Sequence, residues 1–196
     1  MINPVPIQLN LNNLRDVFSR ISDLEAFVFF GTLLGYQREG NIIVSDDDVD
    51  IYINARNYTN LLDALSESDF EVKTMPHKKW YHWSRTPLIV QAMRVQNGTE
   101  SFVDFYLYND EAFDYLEEKW NFQGKWRDVK TAIHIPKNLI FPLLEVKMQG
   151  INIRIPAKSQ EVCAFLYGPG WQTPALKGED YVMEIIDHVP KFCEKF

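Results

Sequence analysis

Leu9, Leu11, Leu14, Val17, Phe18 and Ile21 recur at helical spacing with polar residues between them, which predicts an amphipathic opening helix lying on one face of a sheet. Ala26 to Phe30 is short, apolar and aromatic, and predicts a buried strand leading into a turn at Gly31-Thr32, after which Thr32 to Arg38 can form a short helix. From Asp48 to Ile53 acidic and apolar residues alternate with strand period, so Asp48 and Asp50 share one face while Asp47 points the opposite way from Asp48.

Further along, Tyr58 to Leu65 is helical in pattern and Phe70 to Thr74 is a strand candidate. Leu88 to Val95 and Ser101 to Tyr108 predict two strands joined at Asn97-Gly98, and Asp104 alternates with Val103 and Phe105 in the second. Thr131 to Ile155 offers short strands punctuated by Pro136, Pro142 and Pro156, with Gln149-Gly150 as a hairpin turn, and the helical stretch Ser159 to Tyr167 stops at Gly168-Pro169-Gly170. Interleaved strands and helices without repeats or long linkers predict an α+β fold, a single mixed sheet flanked by helices, in one domain spanning residues 1–196.

Composition narrows the function. A chain of 196 residues with 46% apolar positions can bury one sizeable core. Its net charge of -7 argues against a protein that wraps a nucleic-acid backbone, since such proteins carry an excess of Lys and Arg, so no nucleic-acid partner is expected. No apolar run is long enough to cross a bilayer and the first residues have neither a basic nor an apolar leader region, so a cytoplasmic protein is expected. Cys163 and Cys193 form no CxxC pair and have no matching His cluster, which excludes a zinc site or disulfide framework, and Cys163 is read as packing.

Four aspartates within five positions, Asp46, Asp47, Asp48 and Asp50, repel one another unless cations or donors offset them. A hard divalent ion, Mg²⁺ or Mn²⁺, is the simplest compensation, because such ions bind one or two carboxylates and bridge them to phosphates. The spacing does not fit a calcium-binding EF-hand, which needs ligands over twelve positions with Gly sixth and Glu twelfth. A solvated acidic turn is the plain alternative for the run taken alone. The Gly31-Thr32 turn at a helix start would present backbone N–H groups and a hydroxyl to phosphate oxygens. Gly-Thr, a carboxylate pair on the next strand and a later strand carboxylate together form the layout of the nucleotidyltransferase fold.

At closer range, Phe30-Gly31-Thr32-Leu33-Leu34-Gly35-Tyr36-Gln37-Arg38-Glu39-Gly40, followed by Ile42-Ile43-Val44-Ser45-Asp46-Asp47-Asp48-Val49-Asp50-Ile51, resembles the signature of the LicD and fukutin family. Phe141 to Gly150, Ile155-Pro156-Ala157 and Phe165 to Trp171 resemble that family's carboxy-terminal half, giving a core of about residues 9–140 and a family-like part at 141–175. Tyr36-Gln37 and Val44-Ser45 depart from the family pattern, which often has small residues before the Arg and commonly Pro-Trp before the aspartates.

The resemblance implies transfer of a phosphorylated alcohol, such as phosphocholine or ribitol phosphate, from a CDP-linked donor to a hydroxyl of a glycan. Carried over residue by residue, Asp48, Asp50 and Asp104 would be catalytic and bind Mg²⁺ or Mn²⁺, and Asp104 could also act as general base. Gly31, Thr32, Arg38 and Asp46 would serve substrate binding, with Asp46 able to orient ligands from behind. Trp80-Tyr81-His82-Trp83 invites a choline cage, although an ordinary packed or partly exposed hairpin explains it as well. His77, His134 and His188 are isolated in sequence and receive no role. Two alternatives stay open: nucleotidyl transfer to a small molecule, protein or RNA end, and a noncatalytic module that binds nucleotide or glycan.

Overall fold

The structure is a computed structural model that describes residues 6–44, 46–75, 89–111, 114–118, 133–175 and 181–194. Its elements are α1 (Ile7–Arg20), β1 (Ala26–Val28), α2 (Phe30–Glu39), β2 (Asp48–Asn54), α3 (Tyr58–Ser66), β3 (Glu71–Met75), β4 (Ile89–Gln96), β5 (Thr99–Asn109), β6 (Tyr115–Glu118), β7 (Ile133–Pro136), α4 (Lys137–Ile140), β8 (Leu144–Met148), β9 (Ile151–Ile155), α5 (Ser159–Tyr167), β10 (Tyr181–Ile186) and β11 (Val189–Glu194).

A mixed sheet runs in the order β1-β2-β5-β4-β3, and β6 continues from β5 to β7. Among the described strands only β2 and β5 pair in parallel, with Asp50 beside Asp104 and Tyr52 beside Tyr106. Because side chains alternate across a strand, this register puts Asp48, Asp50, Tyr52 and Asn54 on the same face as Phe102, Asp104, Tyr106 and Tyr108. Helix α2 covers that face: Phe29 stacks on Tyr52 at 3.9 Å, and Phe30 meets Tyr106 edge-on at 4.9 Å. Helix α1 covers the other, where Asn13 donates to the Ser101 hydroxyl at 2.9 Å. The fold is therefore α+β, a mixed sheet flanked by helices, as the pattern predicts.

Three local features depart from the sequence reading. The strand predicted to run to Phe30 ends at Val28, and α2 begins at Phe30, whose φ of 38° lies in the left-handed region that costs a side-chain-bearing residue about 1–2 kcal/mol. Edge-on contacts with Phe29 at 5.0 Å, Tyr52 at 5.4 Å and Tyr106 hold that residue in place. The strand β6 and the hairpin β10–β11 follow no pattern legible beforehand. The hairpin turns at Asp187-His188, both at positive φ, so the Asn-Gly or Asp-Gly signal of such turns is missing, and Pro190 sits inside its second strand. The Asn97-Gly98 turn, by contrast, has φ of 53° and 77°, the conformation those residues favour.

Candidate functional site

The site lies where the start of β2 meets the middle of β5, under the first turn of α2. Asp50 is held at three points. Its N–H donates to Thr32 Oγ1 at 2.8 Å, its carbonyl accepts from the Phe29 N–H at 3.0 Å, and its carboxylate Oδ2 accepts from the Gly31 N–H at 2.8 Å. Asp104 stands beside it, with Oδ1 fixed by the Gln91 carboxamide at 2.9 Å from the neighbouring strand β4. Asp48 begins β2, two residues ahead of Asp50 on the same face.

The preceding turn supplies more carboxylates. Asp46 N–H bonds the Ile43 carbonyl, and one carboxylate oxygen each of Asp46, Asp47 and Asp48 lies within 4.8 Å of the others. Asp47 was expected to face away from Asp48. It precedes the first strand residue, so the alternation that begins at Asp48 does not reach it. Gly31 makes this crowding possible, since a Cβ there would stand 2.8 Å from Asp46 Oδ2 and 3.1 Å from Asp50 Oδ2.

Electrostatics match the crowding. Burial first, then the neighbouring charge of Asp47, pushes the Asp46 carboxyl up to about 6. Burial, then the charges of Asp46, Asp104 and Asp47, pushes Asp48 up to about 8. Asp50, 6% exposed, is raised well above the ordinary carboxylate range by burial and by Asp48, Asp46 and Asp104. Asp104 is raised by burial, a rise that the Gln91 hydrogen bond opposes. Among the described residues no Lys or Arg pairs with any of these groups.

This donor set fits a hard divalent cation: every candidate ligand is a carboxylate oxygen, and Asp46 Oδ2 is buried without a hydrogen-bond partner. A cation there would offset both the burial and the mutual repulsion that raise these carboxyls.

Other residues singled out from the sequence sit differently. The Gly31 N–H, expected to receive phosphate, donates to the Asp50 carboxylate instead, and the Thr32 hydroxyl oxygen accepts from the Asp50 main-chain N–H. Arg38 donates to the carbonyls of Trp171 and, at 2.9 Å, of Thr173, so its fork ties α2 to the loop after α5. Cys163 is buried in α5, as the packing reading has it, and burial lifts its thiol to about 12. His134 and His188, isolated in sequence, stack at 3.8 Å between β7 and the β10–β11 turn. Trp80, Tyr81, His82 and Trp83 lie outside the described residues, as do His77 and Ser45. Two polar residues that sequence reasoning passed over touch the site: Gln91 on Asp104, and Asn10 of α1, whose amide donates to the Asp46 carbonyl at 3.1 Å. Gln91 was detectable as a lone amide in an apolar strand; Asn10 carried no local signal.

A Gly-Thr helix start above adjacent strand carboxylates in a mixed sheet defines a transferase of the nucleotidyltransferase fold. More specifically, the chain belongs to the LicD/FKTN/FKRP family, whose nucleotidyltransferase domain matches residues 23–158. A comparison with curated proteins gave no match. Among solved structures, a lincosamide antibiotic adenylyltransferase with lincomycin bound is similar at 13% identity and a TM-score of 0.47, over 82% of this chain and 85% of that one. A candidate nucleotidyltransferase from Thermotoga maritima is similar at 17% identity and 0.46, over 83% and 86%. No helix among the described residues is long and apolar enough to cross a membrane.

Proposed function

We propose that this transferase moves a phosphorylated alcohol (phosphocholine, or ribitol or glycerol phosphate) from a CDP-linked donor to a hydroxyl of a glycan, with Mg²⁺ or Mn²⁺ held by Asp48, Asp50 and Asp104. The observation that carries the reading is a buried, mutually repelling carboxylate set with no cationic partner among the described residues, in a chain of this family. The ions, when bound, supply the charge neutralisation that a diphosphate donor needs.

The remaining work falls to the chain. Gly31 and Thr32 fix the backbone and carboxylate of Asp50, and so set where the donor diphosphate is met. Asp46 stands beside Asp50 and orients the same end of the donor. Gln91 holds Asp104 Oδ1, which leaves Oδ2 to take the proton from the acceptor hydroxyl. Burial raises its affinity for a proton above that of an ordinary carboxylate, which suits that task. As the acceptor oxygen bonds to the donor phosphorus, the bond from that phosphorus to the CMP oxygen breaks, CMP leaves with the electron pair, and the proton rests on Asp104. Arg38 has the C-terminal loop as its role in this reading, since reaching a diphosphate would require leaving two carbonyls.

The test is ligand-induced stabilisation with Mn²⁺ and, in turn, CDP-choline, CDP-ribitol, CDP-glycerol, CTP and ATP. A metal-dependent rise in melting temperature with one CDP-alcohol, and release of CMP on adding a glycan acceptor, is expected. A rise with nucleoside triphosphates only would replace this reading by nucleotidyl transfer, and no rise with any of them would point to a noncatalytic module.

A further inference from the structure

The helix α1 lies before the segment that matches the family, yet it reaches the site. Asn10 is 1% exposed, and its Nδ2 donates to the Asp46 main-chain carbonyl at 3.1 Å. A carbonyl only accepts, so the group facing it is the amide nitrogen and the orientation of the carboxamide is settled. Its Oδ1 is then buried with no hydrogen-bond partner. Keeping an unsatisfied acceptor in the interior costs more than one ordinary hydrogen bond returns. Leu9, Leu11 and Leu14 of the same helix are buried, so this stretch of α1 accommodates apolar residues. A chain that retains an amide where it loses stability is using the amide for something else.

What the amide touches identifies that use. Asp46 starts the run whose three carboxylate oxygens lie within 4.8 Å of one another, and its own Oδ2 is a second buried oxygen without a partner. The run has little else to hold it on this side. The Asp46 N–H bonds Ile43 within the same loop, and Asn10 ties Asp46 to an element outside it. The helix that carries Asn10 is itself anchored to the sheet by Asn13 on Ser101 and by the Arg94–Asp16 ion pair.

We infer that Asn10 is a positioning residue for the cation site: from α1 it pins the Asp46 carbonyl and so fixes the turn that delivers Asp48, one of the proposed ligands, with the Asp46 and Asp47 carboxylates beside it. This rests on the metal-binding reading above. Residues that orient ligands from behind are worth about 10–100-fold in metal affinity.

The experiment titrates Mn²⁺ into the full chain by calorimetry and measures melting in EDTA, for wild type, Asn10→Leu and Asn10→Ala. Asn10→Leu keeps the branching and the number of side-chain heavy atoms and removes both the donor and the orphan oxygen. The expected result is a loss of at least tenfold in Mn²⁺ affinity for Asn10→Leu, with its EDTA melting temperature within a few degrees of wild type. Asn10→Ala should lose Mn²⁺ affinity to the same extent although it melts lower from the cavity it opens. Affinities within twofold of wild type in both variants would overturn the inference while leaving the cation site intact. A melting loss in EDTA that grows in step with the affinity loss across the two variants would reduce Asn10 to a structural residue. If wild type itself bound no Mn²⁺, the metal-binding reading would fall first.

Discussion

The parallel pair β2 and β5 carries charge at both ends of one face, and the two ends are built on opposite principles. At the far end, beyond Tyr52 and Tyr106, the Glu25 carboxylate accepts from the Tyr108 hydroxyl at 2.8 Å, the Asn54 amide at 3.1 Å and the Arg56 guanidinium at 3.1 Å. The chain compensates that charge entirely. At the near end Asp46, Asp48, Asp50 and Asp104 crowd together, and the described residues give their carboxylates neutral donors such as the Gly31 N–H and the Gln91 amide but no cation. The aromatic layer of Phe29, Phe30, Tyr52 and Tyr106 separates the two. A single fold thus holds a finished polar network and an unfinished one, and the unfinished one marks where a ligand's charge is needed.

The comparison breaks most severely at Asp50. Asp50→Asn keeps the shape and the acceptor for the Gly31 N–H but removes a charge, and transfer should fall by about 10³-fold or more, equivalent to roughly 4 kcal/mol of transition-state stabilisation. Steady-state turnover beside a circular dichroism melt checks it, and near-normal turnover would sink the metal role. Gly31→Ala comes next: its Cβ would meet Asp46 Oδ2 at 2.8 Å and Asp50 Oδ2 at 3.1 Å, so both carboxylates must shift. A displacement of that kind costs about 100-fold in rate, whereas chemical denaturation should show little loss of stability, because the clashing atoms are side-chain ends.

The two ends should also separate by pH and by stability. The folded values of Asp46, about 6, and Asp48, about 8, lie above the ordinary 3.8, so the folded chain holds these protons more tightly than the unfolded chain does. The stability this contributes is complete below the ordinary value and is lost as pH rises through about 6 and then about 8. Metal-free protein should therefore lose stability steadily between pH 5 and 9, by about 1.4 kcal/mol for each pH unit over which one of these carboxyls holds a proton in the folded chain alone. Melting in EDTA across that range reads it out. Mn²⁺ should flatten the slope, and Asp48→Asn should flatten it without metal; a flat wild-type profile in EDTA would contradict the repulsion. At the compensated end, Glu25→Ala strips partners from the buried Tyr108 hydroxyl and the Asn54 amide. It should cost about 2 kcal/mol, roughly 4–8 °C in melting temperature, with Mn²⁺ affinity unchanged. A fall in that affinity would show the two ends to be linked.

Much of this was legible in the chain itself. Strand period put Asp48 and Asp50 on one face, helical period marked α1 and α5, and Asn97-Gly98 and Gln149-Gly150 announced their turns, each with positive φ. The motifs from Phe30 to Ile51 and from Phe141 to Trp171 pointed to the family that residues 23–158 match. These features depend on neighbours a few positions away, where periodicity and backbone preference act directly.

Tertiary structure alone decided who meets whom. The parallel register sets Asp104 beside Asp50 across more than fifty residues, and the α2 start gives the Gly31 N–H and the Thr32 hydroxyl to Asp50 instead of leaving them bare. Arg38 goes to the Trp171 and Thr173 carbonyls, and Asn10 comes from the opening helix to the aspartate turn. Hydrogen-bond partners depend on the path of the chain through space, because every buried donor must find whichever acceptor packing brings within about 3 Å. Local sequence therefore determined the elements and the kind of chemistry, and packing determined which of its polar groups were already taken.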